Sequence, residues 1–343
     1  MAIRSKVAPI ATVLMLVLAS CGDGGESPPR EGSPPAEGPV ELTLEEELEA
    51  ELDIPDQPEW IATGFGSVWV TRDEAAAVER IDAETNEIVA TIDVGAHPCA
   101  GIVAAYDSVW VPSCEEAVLY RIDPQTDKAS AAIGIPIFKS TGALTTELGA
   151  AAGSIWMVTE GESGAFDALA RIDPETEKVV ATLPLGYPGT SVAATEDAVW
   201  VTAPDDGVLI RVDPASDEVV AEVTGLEAPN FVAAGDEGVW VLSGTDSERS
   251  GGDGSVTSID PETNEVASTV RIDEDPGQAA DVTLGEGFVW VRTQYTLLAK
   301  IDPTTGQIVE RYTDRKGLGA VVVDFGSVWL SDFAFNNVWR VPV

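Results

Sequence analysis

The sequence predicts an all-β protein, a seven-bladed β-propeller closed by an N-terminal strand. A strand motif centred on Trp, such as "GSVWV", recurs seven times in the 343 residues. Six of the seven copies are followed by a turn motif such as "DPETNE". The seventh copy lacks that turn and its last strand, and a run that supplies the missing strand stands near the start of the chain.

The spacing of the repeat gives the architecture. Neighbouring copies are 39 to 50 positions apart, centred on Trp69, Trp110, Trp156, Trp200, Trp240, Trp290 and Trp329. A period near forty with several short strands per unit is typical of propeller blades. Each unit contains four runs, which we call strands A to D in chain order, and strand B carries the Trp. In the first unit, strand A includes residues 60–64 and strand D covers residues 87–94.

The recurring Trp, Asp and Arg residues have structural explanations. Neighbouring blades cover both faces of a blade, so we expect the Trp side chains to pack between blades. The Asp that begins each turn motif accepts backbone N–H groups two residues on, so we interpret it as a turn residue rather than an acid or base. These residues are Asp82, Asp123, Asp173, Asp213, Asp260 and Asp302. We expect structural ion pairs for the basic residues of strand C, which are Arg80, Arg121, Arg171, Arg211, Lys300 and Arg340.

The strand that completes blade seven is predicted at the N-terminal end of the domain. Apolar residues alternate with acidic ones from Leu48 to Ile54, as in a half-buried edge strand. We therefore expect residues near 47–54 to pair with the last strand C and to close the ring, which removes the open edges. The alternative is a helix over residues 42–52 with three Leu residues on one stripe, which leaves the seventh blade unfinished.

The chain begins with the features of an export signal. Arg4 and Lys6 precede an apolar run over residues 7–19, which is too short to span a membrane comfortably. The sequence "LASC" at 18–21 resembles a bacterial lipobox, and this resemblance implies that residues 1–20 are removed and that Cys21 is lipidated. The alternative is an ordinary signal peptide with an unrelated Cys.

The segment after the lipobox separates the fold from the membrane. Residues 21–40 are rich in Gly, Pro, Ser and Glu and have almost nothing to bury, so they are predicted to be a disordered spacer. The propeller then occupies residues 41–343. We expect a protein that is anchored to the cell membrane by lipid, on the extracytoplasmic side.

The motifs also resemble a known family. The "SVWV", "RIDP" and "VVATI" runs are similar to the YVTN-type seven-bladed propeller repeats, a superfamily that includes YncE-like proteins and streptogramin (virginiamycin B) lyases. The likeness covers roughly residues 47–343 and implies the fold rather than one function, because a single propeller fold hosts many activities. The lyase reaction requires His and Glu groups beside a divalent cation, and this chain has a single His, His97.

Charge excludes one class of partner. The chain has 19 basic and 59 acidic residues, for a net charge of −40. Such a surface repels nucleic acids and anionic headgroups, so we exclude nucleic-acid binding. Two cysteines and one His cannot complete a zinc shell by themselves, and we predict no metal, no cofactor and no catalytic residue. The expected partner is a protein, a glycan or a small molecule, bound by a monomer.

Loop lengths indicate the face where a ligand binds. Strands B–C and D–A are connected on the same face, which we call the upper face, and the longer connections lie there, at residues 160–167, 243–254, 133–143 and 271–281. Long variable loops on one face of a repeat array usually build its binding surface. The opposite reading is simple drift in loop length.

Basic residues on the upper face are the candidate ligand contacts. They are Arg72, Arg292, Arg315 and Lys316, and His97 is added because it lies at the top of a strand A. A cationic corner in so acidic a protein can hold an anionic group. The alternative is that these residues pair with Asp73, Asp314 and Asp332.

The two remaining cysteines are predicted to form a disulfide. Cys99 opens strand A and Cys114 ends strand B of the same blade. If Tyr106 and Asp107 form a two-residue turn, the two cysteines are directly opposed across the hairpin. An exported protein meets the oxidising conditions that such a bond needs. From all these features we predict a non-catalytic, membrane-tethered binding or scaffold protein, with a metal-assisted lyase as the alternative.

Overall fold

The structure, a computed structural model, describes residues 38–95, 97–136, 147–244, 254–272, 280–293 and 296–343. Residues 38–343 form one compact unit. Seven sheets stand in a ring, and the innermost strand of each packs against that of the next, the last against the first. This confirms the predicted all-β, seven-bladed propeller. The predicted leader, Cys21 and most of the spacer lie outside the described residues.

Blades one to four each contain four strands. Blade one has β3 (Pro58–Gly64), β4 (Ser67–Arg72), β5 (Ala77–Asp82) and β6 (Glu87–Asp93), with a 3-10 turn at Asp73–Ala75. Blade two has β7 (Val103–Ala105), β8 (Ser108–Ser113), β9 (Val118–Asp123) and β10 (Lys128–Gly134). Blade three has β11 (Leu148–Ala151), β12 (Ser154–Thr159), β13 (Ala168–Asp173) and β14 (Lys178–Pro184). Blade four has β15 (Val192–Ala194), β16 (Val199–Ala203), β17 (Val208–Asp213) and β18 (Glu218–Thr224).

The last three blades complete the ring. Blade five has β19 (Pro229–Gly235), β20 (Gly238–Ser243), β21 (Gly254–Asp260) and β22 (Glu265–Ile272). Blade six has β23 (Asp281–Gly285), β24 (Phe288–Arg292), β25 (Leu298–Asp302) and β26 (Gln307–Tyr312). Blade seven takes β27 (Val321–Asp324), β28 (Ser327–Asp332) and β29 (Asn337–Pro342) from the end of the chain.

The N-terminal segment contributes to both blade six and blade seven. It contains β1 (Val40–Leu42), a one-turn helix α1 (Leu44–Glu47) and β2 (Ala50–Asp53). Strand β1 pairs in parallel with β26, and β2 pairs antiparallel with β29 as the outer strand of blade seven. The helix expected as the alternative is therefore a single turn. That this segment holds the ring closed stays a prediction, which a truncation tests below.

The Trp residues fill the seams between blades, as predicted. All seven strand-B Trp side chains are at most 1% exposed. In blade one the indole Nε1 of Trp69 donates to the carbonyl of Gly64, and the guanidinium of Arg80 lies 5.0 Å above the ring centroid. The same stacking of a strand-C cation on Trp recurs in blades two, three, four, six and seven. The repeated motif therefore encodes the inter-blade contact.

The strand-C arginines also hold the neighbouring blade. Arg80 Nη1 donates to the carbonyl of Pro124 and to Asp127 Oδ1, each at 2.7 Å, in the C–D turn of blade two. Arg340 of blade seven reaches the carbonyl of Ala83 at 2.9 Å in the turn of blade one. The turn aspartates accept backbone N–H groups two residues on, as Asp82 does from Glu84 at 3.0 Å. These residues are structural, as the sequence predicted.

The second blade contains the predicted disulfide. Cys99 and Cys114 are bonded, with their Cα atoms 5.6 Å apart. The hairpin between β7 and β8 has Ala105 opposite Ser108, so the turn has two residues, Tyr106 and Asp107. Both have positive φ, 53° and 56°, as in a type I′ turn. The predicted register is therefore confirmed.

Candidate functional site at the upper mouth of the central channel

The central channel of the ring contains a cavity of about 290 Å³. Residues from the innermost strands of all seven blades line it, and most of them are Ala, Val, Ile, Leu and Gly. The polar side chains that line it are Glu147, Asp281 and Thr283, and Trp60 adds an aromatic ring. A mainly apolar cavity with a few convergent polar groups is the usual form of a ligand site.

The polar residues occupy equivalent places in different blades. In each strand A, one residue opposes the buried Trp of strand B, and the position two residues earlier lies nearer the upper face. At that position the seven blades carry Trp60, Gly101, Glu147, Ser191, Phe231, Asp281 and Ala320. We call these residues the upper ring. The strand-B Trp is the same in all seven blades, whereas the residues of the upper ring differ between blades. The chemistry of the upper ring therefore differs from blade to blade.

Glu147 and Asp281 meet across the channel. Their carboxyl groups are hydrogen-bonded to each other, although they belong to blades three and six. The hydroxyl of Ser191 donates to Glu147 Oε2 and accepts the N–H of Val232 at 3.1 Å. Asp281 accepts the N–H groups of Val282 and Val321, both at 2.8 Å. This network joins five of the seven blades.

Burial raises the pKa of both carboxyl groups. Burial and the charge of Asp281 raise the pKa of Glu147 well above its ordinary value. Burial also raises the pKa of Asp281, while the N–H groups of Val321 and Val282 oppose the rise. Since Asp281 receives those two donors and faces the charge of Arg292, we assign the ionised form to Asp281 and the proton to Glu147. Glu147 is partly exposed because it faces the channel.

Arg292 supports the ionised carboxylate from behind the cavity. It lies directly opposite Asp281 in the pairing of β23 with β24, and its side chain is fully buried. Its Nη2 donates to Asp332 Oδ2 at 2.9 Å and its Nη1 to the carbonyl of Ala320 at 3.1 Å. Burial lowers the pKa of Arg292 to about 10, so the guanidinium stays charged at neutral pH.

A second group of titratable residues lies where blade one meets blade two. Burial, together with the charge of Asp73, raises the pKa of Glu59 to about 7. Burial also raises the pKa of Asp73, and the nearby His97 opposes that rise. The Nδ1 atom of His97 contacts the main-chain oxygen of Asp73. Glu59 therefore changes charge near neutral pH, next to Asp73, which is itself in contact with the single His of the chain.

Three of the predicted cationic residues pair with carboxylates. Arg72 pairs with Asp56 and with Glu79 Oε1, the latter at 2.6 Å. Arg315 lies 3.6 Å from Glu51 Oε1. Arg292 pairs with Asp332, and Lys316 also takes part in an interaction.

The three arginines thus have different acidic partners, and the role of the predicted cations as ligand contacts stays a prediction. Of the long upper loops, 160–167 is described, while most of 243–254, 133–143 and 271–281 lies outside the described residues. In the part of the chain that the structure describes, no three His, Cys, Asp or Glu side chains are grouped for metal binding, and no helix has the length and apolarity that crossing a membrane requires.

The sequence analysis missed Glu147, Ser191 and Asp281. Aligning the copies on Trp places all three in one column, where the remaining blades have Trp, Gly, Phe or Ala. The signal available was therefore an acidic or polar residue at an otherwise apolar repeat position. Their mutual contact was not available, because Glu147 and Asp281 stand 134 positions apart.

Several solved structures share this fold. The hydrazine synthase of Kuenenia stuttgartiensis is 14% identical with a TM-score of 0.68, over 86% of this chain and 97% of that chain. BamB from Moraxella catarrhalis is 12% identical with a TM-score of 0.57, over 82% and 84%. A streptogramin B lyase is 14% identical with a TM-score of 0.65, over 85% and 96%. No family model and no curated protein matches the chain. At these identities the likeness shows the fold alone.

Proposed function

We propose that this protein is a membrane-tethered, extracytoplasmic propeller that binds a ligand at its upper channel mouth without transforming it. The observation that carries the proposal is the Glu147–Ser191–Asp281 network in the cavity. Ionisable groups are costly to bury unless they are paired or serve a site. The remaining blades share the rest of the repeat and have Trp, Gly, Phe or Ala at this position.

The chemistry of the network defines the class of ligand. A neutral and an ionised carboxyl group in contact hold one proton, and a positively charged group can replace that proton while keeping both oxygens satisfied. The indole N–H of Trp60 has no hydrogen-bond partner among the described residues, and Trp60 lines the same cavity. We therefore infer a ligand that carries a cationic group next to a hydrogen-bond acceptor.

The tether places this site outside the cell. The lipobox-like "LASC" motif and the spacer at residues 21–40 support lipidation of Cys21 and a flexible link. A flexible linker of this length spans roughly 25 Å on average. Labelling cells with a palmitate analogue should tag the wild type and leave Cys21→Ala unlabelled. Equal labelling of both proteins contradicts the tether without affecting the ligand site.

A metal-assisted lyase is the second candidate. The observation in its favour is Glu59, whose raised pKa of about 7 suits acid–base catalysis and which lies beside Asp73 and near His97. The similarity to a streptogramin B lyase supplies the fold for that reaction. Against it stands the presence of one His in the whole chain, where the resembled family uses His and Glu together.

Thermal shift with the full chain carrying Cys21→Ala distinguishes the two candidates. The panel contains Mg²⁺, Ca²⁺, spermidine, an oligosaccharide and a streptogramin B antibiotic. We expect a cationic compound to raise the melting temperature of the wild type and to lose this effect in Glu147→Gln, which keeps the hydrogen bonds but cannot ionise. The exposed Glu87→Gln is the matched control. Equal shifts in all three proteins refute the proposed site, and consumption of the antibiotic, followed by mass spectrometry, establishes the lyase.

A further inference from the structure

The lower mouth of the channel carries a second ring of residues that the proposed function does not use. Each A–B hairpin ends its first strand at a turn, and the residue four positions before the buried Trp occupies the same place in every blade. In blade order these residues are Phe65, Tyr106, Ala152, Glu196, Asp236, Glu286 and Phe325. We call them the lower ring. They lie at the opposite end of strand A from the upper ring.

The lower ring is divided into two parts by residue type. Blades seven, one and two are consecutive around the ring, and they carry the aromatic residues Phe325, Phe65 and Tyr106, which we call the aromatic arc. Blades four, five and six carry Glu196, Asp236 and Glu286, which we call the acidic arc. Ala152 of blade three separates the arcs on one side, and they adjoin on the other. An apolar surface thus faces an acidic one across the same opening.

The aromatic arc is exposed and has an unfavourable backbone. Phe65, Tyr106 and Phe325 are 41%, 36% and 37% exposed. Their φ values are 57°, 53° and 56°, a left-handed region in which Gly, Asn and Asp are preferred and bulky side chains are rare. Exposed aromatic residues with a strained backbone in three consecutive turns do not stabilise the fold. Such exposed, strained positions are typical of interaction surfaces.

Hydrogen bonds orient residues of both arcs, and a groove begins at the aromatic arc. The hydroxyl of Tyr106 donates to the carbonyl of Ser154 at 3.2 Å, which orients its ring towards blade three. A groove of about 720 Å³ begins at Tyr106 and continues between blades two and three. Its charged lining is mixed, with the acidic Asp107, Asp173 and Glu175 beside Arg121 and Arg171. In the acidic arc, Glu196 Oε1 accepts the N–H of Ala152 at 3.3 Å. The surface is therefore a defined opening with a groove that leads away from it.

We propose that the lower mouth binds a basic amphipathic segment of a partner protein. Its apolar side chains would pack on the aromatic arc, and its Lys or Arg side chains would face the acidic arc, where the net charge of −40 adds a general attraction. Lys and Arg also bind favourably over aromatic rings. An anionic membrane surface would be repelled by the acidic arc, and a neutral glycan would leave it unused.

A charge-neutral substitution in the aromatic arc tests this proposal. The full chain with Cys21→Ala is titrated with a fluorescent twelve-residue peptide of alternating Lys and Leu, and binding is followed by anisotropy. The double variant Phe65→Asn/Phe325→Asn is expected to fold, because Asn suits the left-handed turn, and to bind at least tenfold more weakly. Ala152→Asn is the matched control: it introduces Asn into the equivalent turn of blade three without removing an aromatic ring, and it should bind the peptide like the wild type.

A second variant and two further ligands complete the test. Glu196→Gln/Glu286→Gln should weaken peptide binding severalfold. Glu87→Gln/Glu218→Gln, which removes two charges far from the acidic arc, is the control and should weaken it less. Glu147→Gln at the upper mouth should bind the peptide normally, which keeps this result independent of the proposed function. The proposal is overturned if the wild type does not bind the peptide or if the Phe double variant binds it equally. Arc-dependent binding of maltoheptaose, or of phosphatidylglycerol vesicles, would also overturn it, by assigning another class of partner.

Discussion

The seams between blades and the two mouths of the channel are built on opposite principles. In the seams the same Trp, the same stacked cation and the same capped turn recur from blade to blade. At the mouths, equivalent positions carry different residues in nearly every blade, from Gly101 to Glu147 above and from Phe65 to Glu286 below. The repeated residues build a rigid ring. Only the positions that differ between blades give the two mouths distinct chemistry.

This difference separates stability from function. The seam residues are buried and mutually satisfied, so changing them removes packing energy. The mouth residues include carboxyl groups with raised pKa and strained exposed aromatics, which are features that a fold does not need. We therefore expect substitutions in the seams to lower stability strongly and binding little. Substitutions at the mouths should lower binding strongly and stability little.

The largest expected effect comes from removing the N-terminal segment. Deletion of residues 1–55 removes β1, β2 and the fully buried Leu44 and Ile54. Each buried side chain stabilises by about 1.5–3 kcal/mol, and each lost backbone hydrogen bond contributes about 0.5–1.5 kcal/mol. We expect a loss of roughly 5 kcal/mol or aggregation, measured by chemical denaturation. Deletion of residues 1–37, the matched control, should leave the stability unchanged, and equal stability of both truncations would show that ring closure does not depend on this segment.

The sequence predicted the repeated parts of this structure well, for a physical reason. The strand-B Trp, the turn Asp and the basic residue of strand C each occur six or seven times, so the period of the repeat reveals them. The disulfide was predictable because Cys99 and Cys114 lie in one hairpin, where a two-residue turn sets the register. In contrast, the extra pairing of β1 with β26 involves three residues that occur once.

The upper mouth was harder to predict because it depends on contacts between distant blades. The basic residues stand out as scarce cations in an acidic chain, yet Arg72 is half-buried against Glu79 and Arg292 is fully buried against Asp332. The burial and pairing of these arginines depend on contacts that form in the closed ring, so they cannot be predicted from the local sequence. The sequence does not single out Glu147 and Asp281, because they are two among 59 acidic residues.

A substitution in each region compares their contributions to stability. Trp200 is 1% exposed in a seam, and Trp200→Ala should destabilise the protein by about 3–5 kcal/mol. Ser191→Ala in the upper mouth leaves the N–H of Val232 without its partner and should cost about 1–3 kcal/mol. Urea denaturation measures both, and a Ser191→Ala effect as large as that of Trp200→Ala would remove the distinction between the regions.

The disulfide offers a smaller, local test within one blade. Cys99→Ser/Cys114→Ser opens a loop with a sequence separation of 15, for which the chain-entropy model gives up to about 3 kcal/mol. Because the seams of the other six blades are untouched, the variant should still fold. Peptide mapping of the oxidised wild type should recover the 99–114 link, and two freely alkylated thiols in the native protein would contradict the pairing.

The pH dependence of stability tests the central claim, that the upper mouth holds a proton between two carboxyl groups. An acid whose pKa is higher in the folded than in the unfolded state releases its proton on unfolding, so its contribution to stability falls as the pH rises through the folded pKa. Glu59, with a pKa of about 7, acts between roughly pH 4.5 and 7, and Glu147, whose pKa is also raised, adds to the decline.

The most direct measurement is the free energy of unfolding from pH 5 to pH 9 for the wild type, Glu147→Gln and Glu59→Gln. We expect a decline for the wild type and a flatter curve for Glu147→Gln, because Gln keeps the hydrogen bonds to Ser191 and Asp281 without titrating. Glu59→Gln should remove only the part of the decline that ends near pH 7. If wild type and Glu147→Gln fall in parallel over the whole range, Glu147 holds no proton there, and the proposed basis of the upper-mouth site is wrong.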